Sequence, residues 1–276
     1  MATSELFSVP IPLRKKHVGG QIVCSTPAPN VYLLTFMSPP DNRLTPEFCK
    51  AMITALDVVE FGHPPGVVVT TSGITKFFSN GLDLSIAMAD QSFWENSLYP
   101  MYKRFLTYPM PTVALINGHA FAGGSMLAMH HDYRVFTGSG KGFFCVNELE
   151  FGAHLPPPLS SIFRIKTTPL VYRSLVLEAK RFDAKAAFEA GIVDAVGEMD
   201  AVLKLIKDRG LVSKGTQGSY GLLKTEMYKE SIALLDVKGD LSTGPPDAWP
   251  SETKRKEAGE KWIREWKKAQ AQKSKL

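Results

Sequence analysis

The spacing of apolar positions changes repeatedly along the chain, and the changes outline alternating strands and helices. Residues 1–19 read as irregular. Gln21–Ser25 and Val31–Met37 read as strands, split by the turn signal Pro27-Ala28-Pro29-Asn30. Thr45 then suits an N-cap and Pro46 the first helical position. Apolar residues at 48, 52, 53, 56 and 59 follow at helical spacing up to Phe61. Val67–Thr71 predicts a strand, 72–81 a loop, and Leu82 the start of a helix. A further helix at 92–107 stops at Tyr108-Pro109-Met110-Pro111. Val113–Ile116 is short and β-branched enough for a buried strand, and Met126, Leu127 and Met129 predict a buried helix after Gly123-Gly124. Strands follow at 132–137 and 143–146, then helices at 159–166, 169–179 and 184–190. Ile192–Val196 is strand-like, and 199–208 and 217–236 are helical. Asp240–Pro250 is a Gly/Pro-rich linker, and 251–270 a charged amphipathic helix with Trp262 and Trp266 four apart. Such alternation predicts an α/β fold. The helical last third reads as a separate layer, dividing the chain into 1–200 and 201–276.

Composition narrows the class. The 276 residues are 44% hydrophobic and 21% charged, as in a soluble globular protein large enough for a full core. No apolar run reaches membrane-spanning length, and Met1–Pro12 lacks the basic-then-apolar order of a signal peptide. Cys24, Cys49 and Cys145 are three in number and far apart, which fits reduced thiols and not a disulfide frame or zinc site. The net charge of +5 resides in the tail: Ser251–Leu276 carries nine Lys or Arg against four Glu. A nucleic-acid binder calls for a folded basic patch in a known module, and none is visible. The final Ser274-Lys275-Leu276 reads as a peroxisomal address recognised by an import receptor, which implies residence in the peroxisomal matrix.

Candidate chemistry centres on Pro111–Asp132. Strand, glycine turn and helix N-terminus follow one another there, leaving backbone N–H groups without intrahelical partners near Gly123. The helix dipole favours negative charge at that point, so the stretch suits an anion or oxyanion. A tight turn that needs glycine for packing alone fits the same residues. Asn80-Gly81-Leu82 forms a second turn-to-helix junction. Gly123-Gly124-Ser125-Met126-Leu127 lacks the last glycine of a nucleophile elbow. Gly118–Gly124 does not spell a dinucleotide fingerprint, and Gly138–Gly142 lacks the spacing of a P-loop. His119, His130, His131 and Asp132 invite a metal reading, but adjacent helical histidines diverge by about 100°, so no metal site is expected.

Five segments then line up: K-F-F-S-N-G-L-D-L at 76–84, V-A-L-I-N-G-H-A-F-A-G-G at 113–124, H-D-Y-R at 131–134, N-E-L-E-F-G at 147–152, and F-D-A-K-A-A-F-E-A-G-I-V-D at 182–194. In this combination the chain resembles the crotonase (enoyl-CoA hydratase/isomerase) superfamily over about residues 18–235. The resemblance implies a spiral of ββα units with a helical C-terminal region, a homotrimer or hexamer, and acyl-CoA thioester ligands. CoA enters as part of the substrate, so no separate cofactor is implied. Position by position it assigns the two oxyanion N–H groups to Leu82 and Gly123. Lys76, Phe78, Asn80, Gly81, Gly124, Met126 and Asn147 would contact or border the substrate. Of the two glutamates of a hydratase, the first would fall at Met126, which transfers no proton, and the second at Glu148. A single glutamate is the pattern of delta-3,delta-2-enoyl-CoA isomerases, and N-E-L-E-F-G is similar to their catalytic segment. Glu150 is a rival base, because in an extended segment both carboxyls would share one face. Asn147 would orient Glu148 or cap the turn. The resemblance therefore implies an isomerase of peroxisomal β-oxidation. A hydratase or hydrolase variant and a non-catalytic acyl-CoA-binding subunit are the other readings.

Overall fold

The computed structural model describes residues 5–14, 17–138, 142–237 and 248–273. Ser274–Leu276, most of the expected 240–250 linker and the middle of the 138–142 glycine loop lie outside them. Three strands, β1 (Glu5–Ile11), β2 (Gly20–Ala28) and β3 (Val31–Met37), form an antiparallel meander. β1 corrects the irregular reading of the N-terminus. Its Val9 and Ile11 are buried while Glu5, Leu6 and Ser8 are not, an alternation too short and too Pro-punctuated to stand out in the sequence. Helix α1 (Pro46–Gly62) starts where its cap predicts, with the Thr45 hydroxyl accepting from the Phe48 N–H at 3.2 Å.

Three strand–strand–helix turns follow. The first comprises β4 (Val67–Ser72), β5 (Phe77–Ser79), α2 (Leu84–Ala89), a π-helical turn (Trp94–Leu98) and α3 (Tyr99–Thr107). The second comprises β6 (Thr112–Ile116), β7 (His119–Phe121) and α4 (Gly123–His130). The third runs through β8 (Tyr133–Phe136), β9 (Phe144–Cys145), a 3₁₀ turn (Glu148–Phe151) and α5 (Pro157–Lys166). Then come α6 (Pro169–Leu177), α7 (Ala184–Glu189), β10 (Ala195–Val196) and the helices α8 (Met199–Asp208), α9 (Leu211–Gly215), α10 (Tyr220–Met227), α11 (Lys229–Leu235) and α12 (Ala248–Lys273). The boundary expected at residue 200 falls inside α8.

The first strand of each turn joins a large sheet of order β1-β2-β3-β4-β6-β8-β10, parallel from β3 onward. The second strand of each joins a small parallel sheet, β5-β7-β9. β4 and β6 are buried along their whole length, β6 as an apolar run after Thr112 and β4 as three valines followed by the buried Thr70, Thr71 and Ser72. Their side chains still alternate between two cores. Val67, Val69, Val113 and Leu115 pack with Val202, Leu205 and Ile206 of α8. Val68, Ala114 and Ile116 join the larger core with α1, α3 and α4. At about 1.5–3 kcal/mol per buried Val, Leu or Ile, both faces bind helices tightly.

The two sheets meet at Asn42. This buried residue sits at φ 52°, in the left-handed region that Asn tolerates better than most. Its amide oxygen accepts from the Ser38 N–H at 2.7 Å. Its amide nitrogen faces Ser72 Oγ at 2.6 Å and the carbonyls of Phe77 and Phe78 at 3.3 and 3.1 Å. One side chain thus supplies partners at the bend from β4 into β5. Truncation would leave several buried polar groups unpaired, at about 1–3 kcal/mol each. Asn42→Ala is therefore expected to lower stability by about 2–4 kcal/mol, read as a drop in urea midpoint. An unchanged midpoint would remove Asn42 from this role.

Candidate active site

The small sheet delivers two loops to one place. After β5 the chain passes Asn80, Gly81 and Leu82 before Asp83 caps α2 by accepting from the Ile86 N–H at 3.0 Å. The helix therefore begins two residues later than the sequence predicts, and Leu82 lies in the segment leading to it. That segment is zipped to residues 41–44. The Asn80 N–H donates to the Asp41 carbonyl at 3.0 Å and the Leu44 N–H to the Gly81 carbonyl at 2.9 Å. The Asn80 side chain reaches Asp41 Oδ2 at 2.7 Å. The Arg43 guanidinium donates to the carbonyls of Asn80 and Leu82 at 2.8 and 3.0 Å, while Asp41 Oδ2 accepts from its Nε at 3.0 Å. Every carbonyl flanking Leu82 is thereby turned away and occupied. The Leu82 N–H has no acceptor among the described residues.

The second loop ends β7. Ala122, at φ 47° and ψ −121°, precedes Gly123, the first residue of α4. Such a conformation costs a non-glycine residue about 1–3 kcal/mol. It aims the Ala122–Gly123 peptide toward Leu82: a methyl on Gly123 would lie 3.3 Å from the Leu82 nitrogen and 3.0 Å from its side chain. The Gly123 N–H also lacks an acceptor among the described residues. The sequence predicts a glycine turn directly between strand and helix; the structure inserts β7 there. Gly81, at φ 79°, and Gly124, where a methyl would meet the Ser79 carbonyl at 2.2 Å, allow the loops to touch.

α4 is held at both ends. The Tyr102 hydroxyl donates to the Gly123 carbonyl at 3.0 Å, and its ring stacks on His130 at 4.2 Å. The Lys166 Nζ donates to the Met129 and His131 carbonyls at 2.7 and 2.6 Å, closing the C-terminal end of the helix, while burial pushes its proton affinity well below that of an ordinary lysine. His130 and His131 donate to the carbonyls of Met126 and Leu127, and the His131 Nε2 pairs with the Thr70 hydroxyl. Burial pushes the proton affinity of both rings down.

Glu148 opens the 3₁₀ turn, which Gly152 closes at φ 67°. The sequence predicts one shared face for Glu148 and Glu150 in an extended segment. The helical turn separates them instead: Glu150 is exposed and bridges to Arg181 at 2.8 Å, whereas Glu148 is 9% exposed. One carboxylate oxygen of Glu148 is buried with no partner among the described residues. Burial raises its pKa from the ordinary 4.5 to about 7, against a weaker opposing hydrogen bond from its own backbone N–H. Asn147 makes no side-chain cap, and its amide oxygen is likewise buried and unpaired among the described residues.

Leu82, Ala122, Asn147 and Glu148 border one cavity of about 760 Å³, the size of a small-molecule site. Leu84, Ala87, Met88, Trp94, Pro156 and Leu159 make most of the remaining wall apolar, and Arg43, Asn80 and His154 add polar groups. Of the residues assigned to the substrate from the sequence, Asn80 and Asn147 line the cavity, and five do not: Gly81 and Gly124 lie at the contact between the two loops, and three others stand elsewhere. Phe78 is in the core, edge-on to Phe36 at 5.2 Å; Met126 is 1% exposed inside α4; Lys76 is exposed above the Phe77 ring. Sequence reasoning misses Arg43, Trp94 and His154. Each lies in a stretch that reads only as loop or generic helix, and no spacing marks them.

Residues 27–219 match the sequence pattern of the enoyl-CoA hydratase/isomerase family. The chain belongs to that family. Among its curated members, the chain is similar to enoyl-CoA delta isomerase 3 of Arabidopsis thaliana, 30% identical over 75% of this chain and 92% of the relative. It is also 30% identical to the peroxisomal enoyl-CoA delta isomerase 2 of the same plant, over 78% of this chain and 96% of that one. The fold is that of human mitochondrial delta3-delta2-enoyl-CoA isomerase, with a TM-score of 0.67, 23% identity, and 78% and 85% of the two chains covered. This crotonase fold is what carries the two peptides and the carboxyl to one cavity.

The raised pKa of Glu148 has a stability consequence of definite sign. Below about 4.5 the carboxyl is protonated in both folded and unfolded chains, and burial of a charge costs nothing. Between 4.5 and about 7 the unfolded chain ionises first, so the folded state loses stability as pH rises; above about 7 the loss is complete. At about 1.4 kcal/mol per pKa unit, the full cost is about 3 kcal/mol. Glu148→Gln is therefore expected to raise Tm relative to wild type at pH 8 and to match it at pH 4.5. A pH-independent difference would contradict the burial argument.

Proposed function

We propose that the protein is a delta-3,delta-2-enoyl-CoA isomerase using Glu148 as its sole proton carrier. A buried carboxyl with one unpaired oxygen on an apolar wall, in the cavity bordered by two peptides with free N–H groups, is the observation that supports this reading. The ionised Glu148 removes a proton from C2 of a 3-enoyl thioester. Electron density moves into the thioester carbonyl, whose oxygen takes up negative charge and is held by the N–H groups of Leu82 and Gly123. The double bond re-forms between C2 and C3 as the same carboxyl returns the proton to C4. A pKa of about 7 suits a group that must act in turn as base and acid near neutrality. The apolar wall keeps water from competing, and Met126 offers no second carboxyl for hydration.

The first test supplies 3-hexenoyl-CoA and follows formation of the conjugated 2-enoyl thioester. Glu148→Gln should lose at least about 10²-fold in rate, and wild-type kcat/KM should rise with pH through about 7 as the carboxylate forms. Near-normal turnover by Glu148→Gln would move the base elsewhere. Accumulating 3-hydroxyacyl-CoA would identify a hydratase, and release of free CoA a hydrolase.

Peroxisomal residence belongs to the same proposal. Two similar plant relatives carry the word peroxisomal in their names. A fluorescent fusion of the full chain is expected in peroxisomes, and one lacking Ser274, Lys275 and Leu276 in the cytosol. Unchanged location after that deletion would place the address elsewhere.

A further inference from the structure

Helix α2 is weakly packed for an element that borders the cavity. It has six residues, of which only Ala87 is buried, and Leu84 and Met88 are exposed. Yet it follows closely on Leu82, and Leu82, Leu84, Ala87 and Met88 all line the cavity. So short a helix does not hold itself in place. The connection from β1 to β2 supplies the hold. Arg14 and His17 pair there through two backbone bonds of 3.1 and 2.8 Å. Their side chains reach opposite ends of α2. His17 Nε2 lies 2.6 Å from Asp83 Oδ2 at the N-cap, and Arg14 Nη2 lies 3.7 Å from Asp90 Oδ2 at the C-cap. Arg14 Nη1 also donates to Glu47 Oε1 in the first turn of α1 at 2.8 Å. Residues 14 and 17 both precede the stretch, 27–219, that matches the family pattern.

The bond from His17 is the shorter and better shielded of the two, with side chains 13% and 19% exposed. It completes a divided carboxylate. Asp83 Oδ1 accepts from the Ile86 N–H at 3.0 Å and from the Ser85 hydroxyl at 2.5 Å, and Oδ2 is left for His17. Partial burial pushes the Asp83 pKa up, but the bonds from Ser85, His17 and Ile86 outweigh it and hold the group at about 2. An ionised carboxylate only accepts, so Nε2 of His17 carries the proton between them. Asp83 is therefore a full negative charge one residue from the Leu82 N–H. Leu82 and Leu84 line the cavity, and Asp83 between them does not. Turned inward, that charge would oppose the one the Leu82 N–H is to stabilise.

We propose that His17 and Arg14 are positioning residues for the reaction: they clamp α2 at its two ends, and His17 keeps the Asp83 carboxylate turned away from the cavity and the Leu82 peptide in place. The proposal rests on the isomerase reading above and adds two residues to that same site. Neither side chain lines the cavity, so both act through Asp83 and Asp90.

The test sets wild type beside His17→Ala, His17→Gln and Arg14→Ala, and reads turnover of 3-hexenoyl-CoA, binding of hexanoyl-CoA and amide hydrogen exchange on each. In His17→Ala, kcat should fall at least about tenfold, as for loss of a hydrogen bond to a charged group. The Kd for hexanoyl-CoA, a saturated ester on which no charge develops, should change by less than about twofold. His17→Gln returns an N–H donor to Asp83 and should recover part of kcat. Arg14→Ala should lose less, its bond to Asp90 being longer and more exposed. Amides of residues 80–90 should exchange faster in His17→Ala, and those of 123–130 as in wild type. Wild-type kcat in His17→Ala would overturn the proposal and leave the isomerase reading standing. A loss that His17→Gln does not relieve, with faster exchange throughout the chain, would also overturn it and make His17 a general prop of the fold. If wild type does not isomerise the ester, the isomerase reading fails and exchange alone judges the clamp. Faster exchange confined to 80–90 in His17→Ala then upholds it, and unchanged exchange there overturns it.

Discussion

The site depends on hydrogen bonds made by three consecutive residues, Asp41, Asn42 and Arg43. Asn42 holds the bend at which the chain leaves the large sheet for the small one. Asp41 and Arg43 hold the peptides on either side of Leu82. Without them the 80–83 segment would be an irregular loop, free to turn carbonyl oxygens toward the cavity. An N–H aimed at a ligand is only useful when its neighbouring carbonyls are bound elsewhere, and this loop binds them. The stabilisation of the fold and the preorganisation of the site are here the same set of bonds.

The opposite wall is built from costs as well as gains. Ala122 sits in a strained conformation, and Glu148 is held where its ionised form is poorly solvated. Both are tolerated because hydrophobic packing and buried hydrogen bonds hold their surroundings in place. Met126, Leu127 and Met129 bury the body of α4 in the main core, at about 1.5–3 kcal/mol for each large side chain. Tyr102 and Lys166 anchor its ends. Met126, as part of the core, helps fix the helix that begins at Gly123.

Much of this is legible in the sequence, for reasons that can be named. β4 and β6 are buried on both faces and are rich in β-branched residues, so they read as strands; α1 has its cap and proline in register. The five segments that suggest the family are the ones where backbone geometry leaves little choice: glycines at contacting loops, and the turn carrying Glu148. The misreadings fall where local signal is weak or tertiary contacts decide. β5 and β7 are three residues long each and exist only because a neighbouring strand pairs with them. Glu150 separates from Glu148 only once the segment is known to be a 3₁₀ turn. Arg43 gives no sign in the sequence, because its partners are carbonyls 37 and 39 residues away. Phe78 belongs to a matching motif, yet its ring faces the core, since alternate residues of a strand point to opposite sides.

The small sheet also limits how the chain can vary in length. Its strands are parallel and very short, and each leads straight into a loop that borders the cavity. One residue inserted within β5, β7 or β9 would shift a register that has no second repeat in which to recover, and would displace Leu82, Gly123 or Glu148 from the others. Insertions and deletions are therefore tolerable only on the far sides of the spiral, in the connections after α1, α3, α5 and later helices. Diversification in this architecture proceeds by exchanging side chains around a wall of fixed spacing, while chain length is free to change only away from it.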